Sequence, residues 1–496
     1  MSRFTYSINY VMVLRVLGWL LVIESFFLAL PVGVSLYYGE NDIAMAFLKT
    51  VAITISVGLL LTYGLHNKYR NSTMHKREGL LLTSTVWFVF SFFGMLPLLF
   101  SSTVVGVTDA FFETMSGFTT TGASVISDVE SLPRGIVFWR SLSQWVGGMG
   151  IILFTLAVLP MLNYKGGVTL FSSEVTGITH ERVRPRVSQT AKSMWTIYIT
   201  MTTIMFVLLL FGPMNWFDSI CHTLSTVSTG GFSTMNDGLS NWHDYYSYAV
   251  IILFMLICGI NFSVIYALFA ERNWKLVYKN AILRWYLGVV IVGSIVIFCR
   301  VQYMGFCDTI SDSILYSVFD TISAITSTGF SSIDYEESGQ FIFFLLLMLM
   351  FFGGMAGSTS GGAKIDRFIV LFKYVRNELY KAINPNAVTA IRLNKKPVSR
   401  GVIDKVLAFL ALYVLILVTV AVILTLYGMP AFDALFNSLS AISNIGFGYG
   451  EMTGGIDKFA NLPDLCKWVL AFEMVIGRLE LFTVLVLFTR RFWIKD

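Results

Sequence analysis

Phe118-Thr119-Thr120-Thr121-Gly122-Ala123-Ser124 decides how this chain is read, because a version of that run occurs four times. The others are Ser228-Thr229-Gly230-Gly231-Phe232, Ser327-Thr328-Gly329-Phe330-Ser331 and Asn444-Ile445-Gly446-Phe447-Gly448. Each is a hydroxyl- or amide-bearing turn with glycine, set after a short apolar segment. In so hydrophobic a chain such runs are not ordinary core. Four copies point to four walls around one axis, the plan of an ion filter whose carbonyl and hydroxyl oxygens replace the water of a dehydrated cation. Glycine lets the backbone aim those carbonyls at dihedrals other residues resist. The candidate cation-binding residues are therefore Thr120, Thr121, Gly122, Thr229, Gly230, Gly231, Ser327, Thr328, Gly329, Asn444, Ile445 and Gly446.

Composition supports a membrane setting. Of 496 residues, 55% are hydrophobic and only 13% charged, about half the charge of a soluble domain. Apolar runs long enough to span a bilayer recur along the chain. The five cysteines (221, 258, 299, 307 and 466) are odd in number and scattered, which fits buried thiols and neither a disulfide framework nor a metal site. The first apolar segment, near 11–34, carries Arg15 and Glu24 and lacks a cleavage site, so it is expected to be a retained helix.

Two hydrophobic helices open the chain, near 11–36 and 43–65. A four-times repeated order then follows: long helix, half-helix, filter run, long helix. The long helices are expected near 79–101 and 136–160, 192–213 and 246–270, 281–301 and 340–382, and 402–427 and 465–489. The prediction is an all-α integral membrane protein of ten spans and four re-entrant half-helices. Its parts are the leading pair (1–66) and repeats over 67–162, 163–271, 272–385 and 386–496. The repeats share a register. Asp109, Asp218 and Asp433 each lie thirteen residues before a glycine, Gly122, Gly231 and Gly446. The second repeat therefore aligns on Gly231, and Phe232 matches Phe330 and Phe447, where the first repeat has Ala123. The third repeat departs, with Tyr316 at the matching position and Asp320 later. An Asp opening a half-helix caps free N–H groups and suits the positive dipole end, leaving the negative end facing the filter.

Charge fixes orientation. Basic clusters fall in the 66–78 loop, at Lys165/Arg182/Arg184/Arg186/Lys192, at Arg272/Lys275/Lys279/Arg284, between Lys364 and Lys405, and at Arg490/Arg491/Lys495. All lie on one side. The filter-bearing loops instead carry Asp109, Asp128, Glu130, Asp237, Asp244, Asp334, Glu336 and Glu337. The positive-inside rule makes the basic side cytoplasmic, with both termini inside and the filters opening outward. Acidic outer loops would concentrate cations.

Together the four filter runs, Trp145-Val146-Gly147-Gly148-Met149-Gly150, the glycine run Gly353 to Gly362 and Ile476-Gly477-Arg478-Leu479-Glu480 resemble the Trk/Ktr/HKT superfamily of potassium transporters. The two extra leading helices resemble its bacterial TrkH branch. The resemblance covers nearly the whole chain. It implies a potassium-channel-like fold and K+ uptake across a bacterial inner (plasma) membrane. It implies K+ as the bound and transported ion, without an organic cofactor. It also implies a homodimer in membrane lipid and a cytoplasmic nucleotide-binding regulatory ring, a TrkA-like subunit, as partner; no nucleic acid is expected. None of the loops reads Thr-Val-Gly-Tyr-Gly, so fewer stacked ion sites are implied than in a potassium channel.

Two further features bear on flow. The run Gly353-Gly354-Met355-Ala356-Gly357-Ser358-Thr359-Ser360-Gly361-Gly362 is a poor helix. Non-helical backbone at membrane depth survives only where protein packs it or water lines it. The resemblance makes it an intramembrane gating loop; the alternative is a close-packed small-xxx-small helix contact. Arg478 is expected within an apolar helix, well away from the terminal Arg490/Arg491 cluster, where a charge is costly and faces water or a partner. It is a candidate pore barrier, or else it pairs with an acid of another helix; Glu480, two residues on, points elsewhere. The basic stretch from Lys364 to Lys405 is either a solvated face or the docking surface for a regulator. The competing function is a secondary transporter for a small organic substrate, which would show two large repeats rather than four short ones. An intramembrane enzyme would need converging His, Asp or Ser–Lys groups at membrane depth, whereas the titratable residues here mostly flank the membrane.

Overall fold

The computed structural model describes residues 8–64, 74–148, 150, 187–239, 242, 244–332, 340–394, 396–454 and 459–494. The leading helices, Tyr10–Tyr37 and Asn41–Tyr63, pack as an antiparallel pair. Gly18 and Gly58 stand at their crossing. A side chain on either would strike the carbonyl oxygen of the other, so small residues set the close approach. Glu40, between the two helices, accepts from Arg134 N (2.6 Å) and Gly135 N (3.0 Å), capping the helix that follows the first filter.

Each repeat then places a half-helix ahead of its filter run. The half-helices are Val107–Phe118, Trp216–Val227, Ile310–Ile325 and Ala431–Ile442. The long helices before them are Lys76–Gly94 with its continuation Leu96–Phe100, Val187–Leu210, Ala281–Met304 and Arg400–Leu426. Leu60, Phe211, Val292 and Leu415 are exposed on outward faces, as lipid contact requires.

The acidic residue of each half-helix sits in the first turn, third in the helix, and not at the cap. The caps are Gly106, Asn215, Thr309 and Pro430, and the acids are Asp109, Asp218, Asp312 and Asp433. The dipole argument survives this shift, since charge anywhere in the first turn is favoured. The third repeat's departure also gains its reason. Its half-helix begins about one turn earlier, so Asp312 holds the equivalent place, while Asp320 lies mid-helix.

The long helices after the filters differ most from expectation. Among the described residues, six helices are long and apolar enough to cross a membrane unbroken. The pair Tyr245–Cys258 and Phe262–Phe269, turned through 107° at its break, is apolar enough to count with them if taken as one span. The third repeat's helix stops at Phe352 and resumes at Ile365. The fourth's stops at Arg478 and resumes at Phe482. The first's, Arg134–Gly148, runs to the edge of the described residues. The expected helices over 246–270, 340–382 and 465–489 are therefore each interrupted. Among the described residues an all-α description holds except for one minimal antiparallel ladder, Arg392–Leu393 with Lys396–Pro397. The basic segment 165–186 lies outside the described residues.

Candidate functional site

The four filter runs adopt one conformation. Thr120, Thr229, Ser327 and Asn444 are left-handed, with φ of 54°, 56°, 53° and 53°. Two residues on, Gly122, Gly231, Gly329 and Gly446 have φ of 84°, 79°, 84° and 83°. The match fixes the alignment on Gly231 and makes Gly230 the counterpart of Thr121, Thr328 and Ile445. The cause is local. Each half-helix ends in the same pair of backbone bonds, such as Thr121 N to Ser116 O (2.9 Å) with Thr120 N to Gly117 O (3.0 Å). The equivalents are Gly230 N to Ser225 O, Thr328 N to Ser323 O and Ile445 N to Ser440 O. This double closure forces the residue after the cap to be left-handed.

The runs also close on one another. A Cβ added to Gly122 would collide with the carbonyl oxygen of Gly230. On Gly231 it would collide with Thr328 O, on Gly329 with Ile445 O, and on Gly446 with Thr121 O. First repeat meets second, second meets third, third meets fourth, and fourth returns to first. Asn444 reinforces the last step by donating Nδ2 to Thr121 Oγ1 (3.1 Å). Lys467 does so at the start of the first half-helix, pairing with Asp109 at 2.6 Å.

Several filter hydroxyls are already engaged. Thr121 and Thr328 each share a 2.8 Å bond with the hydroxyl two residues earlier. Thr229 donates to Ser228 O (2.6 Å) and Ser327 to Thr326 O (2.7 Å). Gln144 was not singled out from the sequence. It donates Nε2 to Gly230 O (2.7 Å) and accepts from Phe232 N (3.2 Å). Its amide fills the space where a Cβ on Gly230 would go, which explains why this repeat has two glycines.

Below the filter, the loop Gly353–Lys364 is non-helical, with left-handed Gly353, Gly357, Gly362 and Lys364. It docks into the break of the second repeat. Met355 N donates to Gly259 O (3.0 Å), Phe262 N to Gly357 O (2.9 Å) and Asn261 Nδ2 to Ala356 O (2.5 Å). From there it reaches the filter bases. Gly361 N donates to Ser327 Oγ, and Gly362 N to Ser443 O at 3.0 Å. Thr359 Oγ1 lies 3.3 Å from Cys258 O. Ser358 and Ser360 share a 2.7 Å hydroxyl bond, and Lys364 Nζ donates to Ser360 O. Met355 N to Gly259 O and Ile365 N to Gly354 O brace the loop's entry.

Arg478 is the last residue of its helix, and not a mid-helix charge as expected. A cation suits that position. Its guanidinium donates to Thr359 O (2.9 Å) and Gly147 O (3.1 Å), joining the fourth repeat to the loop and to the first repeat. Glu480 pairs with Arg367, whose guanidinium lies over the Phe409 ring at 3.8 Å. A cavity at this level is lined by Gly148, Phe262, residues 357–362, Asn444, Arg478 and Glu480, so every repeat contributes to it.

A profile described as "Cation transport protein", TrkH, matches residues 43–493. This chain belongs to the TrkH family. Its similar relatives include the Trk system potassium uptake protein TrkH of Salmonella typhimurium, 33% identical over 97% of this chain and 98% of that one. The protein of the same name from Halomonas elongata is 34% identical over 98% and 99%. The crystal structure of the potassium transporter TrkH from Vibrio parahaemolyticus superposes with a TM-score of 0.87 at 31% identity, covering 98% of this chain and 100% of that one. The fold of this TrkH-family chain is thus shared over nearly its whole length.

Proposed function

We propose that this chain takes up K+ through a single pathway along the axis of its four repeats. The observation that carries the reading is the closed ring, in which each filter glycine abuts the next repeat's middle carbonyl. Such a ring offers oxygens at fixed spacing to a cation that has shed water. The ligands are chiefly backbone carbonyls of Thr120, Thr121, Gly122 and their counterparts at 229–231, 327–329 and 444–446, because the hydroxyls of Thr121, Thr229, Ser327 and Thr328 are bonded nearby, whereas a carbonyl oxygen such as Gly230 O, which accepts from Gln144, keeps a second lone pair. Four half-helix C-termini aim their negative ends at the same place, which favours a cation and disfavours an anion.

Gly353, Gly354, Gly357, Ser358, Thr359, Ser360, Gly361 and Gly362 form the obstruction below the filter, and Arg478 both latches that loop and sets a positive charge beside the path. The filter selects, and the loop with its arginine limits flow. The protein sits in a bacterial inner membrane with both termini cytoplasmic. It works as a homodimer with a nucleotide-binding ring of TrkA-like chemistry docked on the basic stretch from Lys364 to Lys405. The boundaries of the repeats are those read from the sequence.

Uptake of radioactive Rb+ into liposomes containing the purified protein tests this, with Na+ and pH gradients varied independently. The reading expects uptake that K+ competes and choline does not. Coupling to either gradient would make it a symporter, and indifference to both a channel. Absence of K+-competed uptake by folded protein would overturn the proposal.

A further inference from the structure

Nine residues before each filter glycine stands a buried polar side chain: Glu113, His222, Asp320 and Asn437. All four are at most 1% exposed, inside half-helices whose neighbouring positions are mainly apolar or small. No two are the same residue type. Yet each bonds to the strand two or three residues beyond its own filter glycine. Glu113 accepts from Ser124 Oγ (3.1 Å) and Val125 N (2.9 Å). His222 Nε2 lies 3.1 Å from Ser233 Oγ. Asp320 accepts from Ser332 N (3.2 Å) and Ser332 Oγ (2.9 Å). Asn437 donates to Tyr449 O (3.0 Å) and accepts from Tyr449 N (3.4 Å).

The geometry follows from chain dimensions. The polar residue lies five positions before the half-helix end, a rise of about 7–8 Å. Two to three extended residues past the glycine cover about 7–10 Å in the return direction. Helix and strand therefore run side by side, and the polar side chain bridges them at the outer edge of the filter. The first bridge carries charge and reaches the neighbouring repeat. Arg140 pairs with Glu113 at 2.8 Å, and its guanidinium lies over the Phe232 ring at 4.2 Å.

We infer that Glu113, His222, Asp320 and Asn437 are four equivalent positioning struts that hold the outer filter strands and thereby set ion selectivity. The inference rests on the filter reading proposed above. What recurs is the bond and not the side chain, since acid, imidazole and amide all serve. A buried polar group keeps such a place only when its hydrogen bonds are made. Without the strut the strand after the glycine is free to shift, and carbonyl spacing shifts with it. Discrimination between ions of different radius then relaxes, while the pathway stays open.

The experiment compares Rb+ with Na+ flux in liposomes carrying Asp320→Ala, Asp320→Asn, Ser233→Ala and the filter control Gly329→Ser, beside the thermal stability of each in detergent. Asp320→Ala and Ser233→Ala should lower the Rb+/Na+ flux ratio at least roughly fivefold, a change of about 1 kcal/mol in discrimination. Asp320→Asn, which keeps an acceptor for Ser332, should stay near the parent ratio. Ser233→Ala removes one exchangeable hydroxyl from the strand side and provides the test if Asp320→Ala does not fold. An unchanged ratio in folded Ser233→Ala, with Gly329→Ser altered, overturns the struts and leaves the filter standing. If Gly329→Ser is unchanged as well, the filter reading falls and the struts with it.

Discussion

Arg478 donates a hydrogen bond to the carbonyl oxygen of Thr359 at 2.9 Å, tying the broken helix of the fourth repeat to the loop of the third. Its other amino group holds Gly147 O of the first repeat at 3.1 Å. One side chain thus fastens three repeats beneath the filter and puts a fixed charge there.

Removing that charge should raise flux. Two unit charges about 6 Å apart at an effective dielectric near 20 repel by roughly 3 kcal/mol, about a hundredfold in rate. Arg478→Ala should therefore increase Rb+ uptake and loosen the loop. Arg478→Lys keeps a charge but cannot hold both carbonyls in a planar fork, so its uptake should lie between. Each lost charged hydrogen bond costs about 1.5–3 kcal/mol, so some loss of thermal stability accompanies the gain. Loss of stability without any gain in uptake would make Arg478 a structural clamp only.

Shortening the loop within Gly357 to Gly362 should raise Rb+ flux and leave the Rb+/Na+ ratio near the parent value, because the obstruction lies below the selecting ring. Paired uptake measurements with the two ions check this. A changed ratio would assign the loop to the filter through its contacts with Ser327 and Ser443.

Gly230→Thr, which restores the residue type of the first and third repeats, should destabilise the protein. Its Cβ would overlap the Gln144 amide, and overpacking of a close-packed site costs about 1–3 kcal/mol. Gln144→Ala alone should also destabilise, by leaving Gly230 O and Phe232 N without their partner. The double variant should be more stable than the sum of the two losses allows. Thermal melts of the three proteins form the cycle. Simple additivity would mean that Gln144 and Gly230 do not compete for one space.

What could be read from the sequence was local. The filter turns were legible because a hydroxyl- or amide-bearing run with a glycine recurs four times after a short apolar half-helix. The third repeat's departure was legible but not its cause, since the spacing alone did not show an added turn in Ile310–Ile325 that puts Asp312 in the equivalent place. Interruptions in the helices past the filters were legible at the glycine-rich 353–362 and hidden at Glu480 and Leu481, which are left-handed without being glycine. Glu480 sits in the same helix-end closure as the filter turns, with Glu480 N bonded to Gly477 O (3.2 Å) and Leu481 N to Ile476 O (3.0 Å), and no glycine marks it in the sequence. The extra glycine of the pair, Gly230, had its reason in Gln144, far along the chain. The polar column Glu113/His222/Asp320/Asn437 emerges only once all four repeats are aligned on their glycines. Mid-helix placement of Arg478 was wrong because hydropathy does not reveal where an apolar helix stops.

The most direct test of the central claim is the ratio of Rb+ to Na+ flux in liposomes carrying Gly122→Ser, Gly231→Ser, Gly329→Ser or Gly446→Ser, each beside the parent protein. All four glycines are left-handed, and each faces a carbonyl of the next repeat, so one Cβ should deform the shared ring from any of the four sides. The account predicts that the parent favours Rb+ and that every variant loses roughly tenfold or more of that preference, about 1.4 kcal/mol, while Na+ flux persists. Folded variants that keep the parent ratio would contradict it, because four separate turns, and not one filter, would then be what the repeats build.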